Sequence, residues 1–226
     1  MIYRSNLSAP DLIQHFHYTV SGPMPHSCGH DVIRDFAGKP DNDPVFGVYK
    51  NCGFWTHDEA AILYNTASSV HGLWLDIGGL TGWTAAHLAH AGCQVTSIDP
   101  MYGNKEFAER ASANLRASGC RNAVHLIPCT SHAFFSCSFS IYSGVVIDGD
   151  HDGDTPCLDA IGASKCSSII FLHDTVLQPV QRAVSYLRDL GWSWKQYRTP
   201  HGVALFWRPG LSFVPVEHVP DPALGG

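Results

Sequence analysis

The sequence of 226 residues predicts an α/β fold, a doubly wound and mainly parallel sheet closed by one antiparallel hairpin. Two observations carry this. From residue 56 onward short apolar runs alternate with helix-length stretches, the pattern of βαβ units joined by right-handed crossovers. The last two runs break that pattern. They are aromatic, alternate in polarity, and are joined only by Thr199-Pro200-His201-Gly202, as in a hairpin. Together they give a Rossmann-like sheet of about seven strands behind an irregular N-terminal extension.

The elements follow in order. Pro10, Pro23, Pro25, Pro40 and Pro44 break up the first fifty residues, leaving one short helix over 11–18. Thr56 and Glu59 form a capping box, and Ala60, Ala61, Leu63, Tyr64 and Ala67 continue a helix. Strands are predicted over 73–77, 94–98, 123–127, 144–147 and 168–172, with helices over 84–90, 105–117, 156–164 and 179–190. The hairpin occupies 192–198 and 203–207. Residues 1–55 are therefore an extension suited to covering a substrate, 56–208 the sheet domain, and 209–226 a Pro-rich tail.

Composition narrows the function. Apolar residues make up 45% of the chain, enough for a full core, and the formal charge is −6, which argues against a protein that wraps nucleic acid phosphates. Eight cysteines include no C-x-x-C pair, and the N-terminus has no signal-peptide core, so reduced thiols in a cytoplasmic setting are expected. No apolar run reaches the roughly 20 residues that span a membrane. His26, Cys28 and His30 offer three soft ligands but lack the fourth that structural zinc needs. A homo-oligomer is compatible with all of this.

In an open α/β sheet, ligands bind beyond the carboxyl ends of the strands. The first strand ends in Asp76-Ile77-Gly78-Gly79-Leu80-Thr81-Gly82, and Trp83-Thr84 opens a helix. The second ends in Asp99-Pro100, the fourth in Asp148-Gly149-Asp150-His151, and the fifth in His173-Asp174-Thr175. Helix capping accounts for acids such as Asp154, but poorly for Asp76, Asp99, Asp148 and the His173–Asp174 pair. The glycine turn lacks the G-x-G-x-x-G spacing of dinucleotide binders, because Leu80 stands at the middle glycine.

The segments DIGGLTGWT, IDGDH and LHDT resemble the motifs of class I S-adenosylmethionine-dependent methyltransferases, in particular the small-molecule O-methyltransferases of the catechol, caffeoyl-coenzyme A and macrolide-sugar types. The resemblance covers roughly residues 54–207. It implies S-adenosylmethionine as cofactor and a small-molecule hydroxyl as acceptor. Asp76, Gly78, Gly79, Gly82 and Thr84 would surround the methionyl part, Asp99 would hold the ribose hydroxyls, and Pro100 and Met101 would border the adenine. Cys129, Thr130 and Ser131 would lie near the adenine, without the acid or amide many relatives carry there. Asp148, beside the cofactor, and His151 would be catalytic, His151 as general base. Asp148, His173 and Asp174 match the positions that hold Mg²⁺ in metal-dependent relatives. His173 departs from the usual Asp or Glu, which leaves three readings open: a softer divalent ion such as Mn²⁺, Fe²⁺ or Zn²⁺, a histidine standing behind the ligands, or no metal. An N- or C-methyltransferase, a cofactor-binding protein without transfer activity, and a metal-using hydrolase or lyase remain alternatives.

Overall fold

The computed structural model describes residues 7, 9, 10, 12, 55, 57–199 and 201–218. The short helix at 11–18, the capping residue Thr56, the His26–Cys28–His30 cluster and most of the N-terminal extension lie outside the described residues.

The chain forms α1 (His57–Val70), β1 (Leu73–Ile77), α2 (Trp83–His90), β2 (Gln94–Ile98), α3 (Lys105–Ala117), β3 (Val124–Ile127), α4 (Ser131–Cys137), β4 (Tyr142–Ile147), α5 (Thr155–Cys166), β5 (Ser167–Leu172), α6 (Gln178–Asp189), β6 (Ser193–Tyr197) and β7 (Val203–Trp207). Local chemistry sets the helix starts. Asn104 Oδ1 accepts Glu106 N–H at 2.9 Å ahead of α3, and Thr130 Oγ1 accepts Ala133 N–H at 3.3 Å ahead of α4. Pro156 and Pro179 occupy first turns, where a missing N–H costs no helical bond.

The strand order is β3-β2-β1-β4-β5-β7-β6. β1 to β5 are parallel, and β7 pairs antiparallel with both β5 and β6. Only β7 is therefore reversed, since β6 returns to the common direction. Chain order reverses between β1 and β4, so the crevice that α/β sheets use for ligands opens beyond Ile77 and Ile147.

Both faces of the sheet are covered, which is why its strands read as nearly continuous apolar runs. On one face Trp74, Val95, Val146 and Phe171 pack with Ile62, Leu63, Ala86 and Leu88 of α1 and α2. On the other, Leu75, Val145, Ile170 and Phe206 pack with Ala160, Ala163, Val180 and Leu187 of α5 and α6. α3 turns Phe107, Ala111, Asn114 and Leu115 inward, where they are buried. α4 is an element the sequence pattern did not announce. Residues 209–218 have no regular structure but lie back on the domain, where Val216 O accepts bonds from Tyr197 Oη at 2.9 Å and Lys195 Nζ at 3.0 Å. No helix among the described residues is long and apolar enough to cross a membrane.

Candidate active site at the strand ends

A cavity of about 740 Å³ opens at the switch between β1 and β4, and residues from all of the first four strand ends contribute to its wall. Of the cofactor residues expected from the sequence, Gly78, Gly79, Thr84, Asp99, Pro100, Thr130 and Asp148 line it. Asp76 and Gly82 sit behind that wall. Gly82 has φ +87° and caps α2, while Asp76 is fully buried and accepts the Ser97 hydroxyl at 2.7 Å.

The turn after β1 is built on close approaches. Gly78 has φ +89°, and a Cβ there would lie 2.1 Å from Asp148 O, so only glycine lets the β1 and β4 ends come together. A Cβ on Gly79 would lie 1.9 Å from Ser97 Oγ and 2.3 Å from Tyr102 Oη. Leu80 adopts φ +39°, a left-handed conformation that strains a branched side chain. Its N–H is held by Asp99 Oδ2 at 2.9 Å, while Asp99 Oδ1 accepts Met101 N–H at 2.8 Å. Asp99 thus shapes the turn as well as facing the cavity. Burial pushes its carboxyl up, against the pull of those two N–H groups. Burial also raises Asp76 to about 7, with the nearby charges of Asp148 and Asp99 adding to it and Ser97 opposing.

The second half of the site is a chain of alternating acids and imidazoles. His173, buried at the end of β5, faces Asp148 Oδ1 with Nδ1 at 2.9 Å and Glu59 Oε2 with Nε2 at 3.1 Å. Asp174 Oδ2 lies 3.4 Å from the same Nδ1 and 3.2 Å from His151 Nε2, and His151 Nε2 lies 3.6 Å from Asp148 Oδ1. Glu59 Oε2 also meets His201 Nδ1 at 3.0 Å, and Oε1 accepts His201 N–H at 3.0 Å. Trp55 lies flat against His173 with ring centroids 4.3 Å apart and donates its indole N–H to Asp148 Oδ2 at 2.5 Å.

Burial alone would neutralise this chain, but its members reverse that effect in one another. Burial lowers His173, yet the carboxylates of Asp148, Asp174 and Glu59 outweigh it and hold the imidazole well above its ordinary range. Burial raises Asp148 and Glu59, and the facing His173, helped by His151 and His201 respectively, holds each well below the carboxylate range. His151 is raised in the same way, with Asp148 and Asp174 overcoming its burial. His173 is therefore an imidazolium clamped at both nitrogens.

The structure thus gathers Asp148, His151, His173 and Asp174, all singled out in the sequence. It adds Trp55, Glu59 and His201, which the sequence did not mark as part of a site, Glu59 being read there only as a helix cap. Glu59 carried one usable signal, an acid directly preceding the buried Ala60 and Ala61. His87, on α2, is buried with Nδ1 2.9 Å from Trp83 O.

No protein-family model matches the chain, and no curated protein sequence matches it. Solved structures do. An O-methyltransferase from Streptomyces achromogenes involved in tomaymycin synthesis, in complex with S-adenosylmethionine, is 15% identical, with 80% of this chain and 91% of that chain covered at a TM-score of 0.55. An O-methyltransferase from Bacillus cereus, in complex with S-adenosylhomocysteine, is 14% identical over 84% of this chain and 94% of its own, at 0.56. A putative caffeoyl-coenzyme A O-methyltransferase from Staphylococcus aureus is 16% identical over 79% and 91%, at 0.57. The likeness to these methyltransferase structures is one of fold, over about four-fifths of this chain.

Proposed function

We propose that the protein transfers the methyl group of S-adenosylmethionine to a hydroxyl of a small molecule. The observation that supports this most is the single cavity joining the glycine turn and Asp99 on one side to Asp148, His151 and Asp174 on the other. In this reading Gly78, Gly79 and Thr84 cradle the methionyl part beside the start of α2. Asp99 takes the ribose hydroxyls, and Pro100 and Thr130 border the base. Asp76 and Gly82 act from behind the wall, by supporting the turn. The net charge of −6 favours a small-molecule acceptor over nucleic acid. Trp55, the last residue of the N-terminal extension, lines the cavity.

The chemistry asks little at carbon. Bound there, S-adenosylmethionine would supply an already activated methyl group, so the residues around it need only align the acceptor oxygen and take its proton. The acceptor's proton must leave as the new bond forms. His151 is assigned that proton. A proton on Nε2, held between Asp174 and Asp148, leaves Nδ1 as the accepting atom. His151→Gln should lower kcat by about 10²–10⁴ with little change in cofactor affinity. Because His151 must be neutral to act and its carboxylate neighbours raise it, activity should rise with pH through a limb above about 6.5. Unchanged turnover in the variant would remove the assignment.

A second reading rests on a different observation. Ligand atoms of Asp148, His151 and Asp174 lie within 4.8 Å of one another. Both nitrogens of His173, the third ligand expected from the sequence, face carboxylates, those of Asp148 and Glu59. Asp148, His151 and Asp174 would be the ligands instead, with His173 behind them, and a bound divalent ion would supply acidity to the acceptor hydroxyl. Loss of methyl transfer on chelation, restored by Mg²⁺ or Mn²⁺, supports this reading. Full activity in chelator supports His151 as base.

A further inference from the structure

Glu59, His173 and His201 stand outside the cavity wall and have no part in the transfer chemistry above. They come from the first turn of α1, the end of β5 and the β6–β7 turn, yet their ligand atoms face one another. Glu59 Oε2 lies 3.1 Å from His173 Nε2 and 3.0 Å from His201 Nδ1, and all three atoms fall within 4.8 Å of one another. The side chains of Glu59 and His173 are fully buried, while that of His201 is 28% exposed and opens a way in from solvent.

The spacing suits a coordination sphere. Ligand atoms on a tetrahedral ion with bonds of about 2.0–2.1 Å stand about 3.3 Å apart. Two edges of this triangle are slightly shorter, so an entering ion has only to part groups that already converge. Orientation is set as well. Asp148 Oδ1 holds His173 Nδ1 at 2.9 Å, the carboxylate–imidazole arrangement that leaves the other nitrogen for a metal. Glu59 Oε1 accepts His201 N–H at 3.0 Å, which aims Oε2 at the centre as a single-oxygen ligand. The backbone fixes His201: Val176 N–H donates to its carbonyl at 3.3 Å, and Thr175 N–H donates to Gly202 O at 3.2 Å. A Cβ on Gly202 would lie 2.4 Å from Thr175 Oγ1, so the β6–β7 turn is pressed against the loop after β5. Charge agrees with geometry, since the carboxylates of Asp148, Asp174 and Glu59 all crowd His173, an excess of negative charge that a buried cation offsets.

We infer that Glu59, His173 and His201 form a metal site separate from the cavity, which takes a divalent ion of the zinc type and fastens α1, β5 and the β6–β7 turn together. Two imidazoles and one carboxylate suit Zn²⁺ better than Mg²⁺ or Ca²⁺, which take oxygen ligands. Three protein ligands leave a fourth position for water. On binding, the proton between His173 Nε2 and Glu59 passes to solvent, while the Nδ1 proton stays against Asp148. The site does not depend on what the cavity binds.

The test titrates Zn²⁺ alone into the full chain, stripped beforehand with chelator, by calorimetry. The unmodified protein should bind an ion that His201→Ala weakens by more than the roughly 10–100-fold that loss of an outer-shell partner costs. His151→Ala should leave that affinity unchanged, which separates this site from the Asp148, His151 and Asp174 set. If His201→Ala does not fold, Co²⁺ on the unmodified chain carries the test. Four ligands including two imidazoles give an intense visible absorption, and His151→Ala should preserve it. No Zn²⁺ binding by the folded protein, binding as tight in folded His201→Ala, or a site or Co²⁺ band lost in His151→Ala overturns the inference. A weak Co²⁺ band, as six oxygen-rich ligands give, overturns it too.

Discussion

At the scale of single residues, Asp76 shows how a motif position can be legible while its environment is not. The sequence places an acid at the end of β1, but not that it lies under the glycine turn, with Oδ2 2.9 Å from where a Gly79 Cβ would sit. Its pH behaviour follows from that burial. The folded-state value of about 7 stands above the ordinary 3.8 of an aspartate, so the folded chain holds a proton that the unfolded chain has released. The contribution to stability is full below about 4 and is lost as pH rises through about 7. Asp76→Asn, neutral throughout, should therefore gain stability relative to the parent between pH 4 and pH 8. The gain should be a few kcal/mol, at about 1.4 kcal/mol per pK unit, read by denaturant unfolding across that range. Parallel pH profiles for the two proteins would contradict the placement.

Among the elements, the strand ends were readable because a βα loop is local. Asp148, His151 and the His173–Asp174 pair follow directly from where their strands stop. Glu59 was not readable in its role, since its partners His173 and His201 lie 114 and 142 residues further along the chain. Those bonds fasten the first turn of α1, the end of β5 and the β6–β7 turn to one carboxylate. α4 escaped for another reason. Ser131–Cys137 is a seven-residue helix in which Ala133 is the one strong helix former among Ser, His, Phe and Cys, and its start depends on the Thr130 cap. Glu59→Gln would leave a buried imidazolium short of a charge partner. It should cost about 3 kcal/mol of stability, seen as a lower denaturant midpoint. A midpoint equal to the parent's would show that the carboxylate does not fasten these elements.

For the whole molecule, alternating elements were enough to predict the sheet, the reversed hairpin and the crevice, because a right-handed crossover rule leaves few topologies. What pattern could not supply is the depth of the site: the strained Leu80 held by Asp99, the stacking of Trp55 on His173, and the wall of α4 and α5. Each depends on elements far apart in sequence meeting at the strand ends. The account's central claim is that this crevice binds S-adenosylmethionine and its demethylated product through the turn that Asp99 organises. Titration calorimetry of the folded protein with S-adenosylhomocysteine tests it most directly. The account predicts one site per chain, with Asp99→Ala weakening it by about tenfold or more through loss of a charged hydrogen-bond acceptor. No heat of binding from either the cofactor or its product, or an Asp99→Ala protein that binds as tightly as the parent, would contradict it.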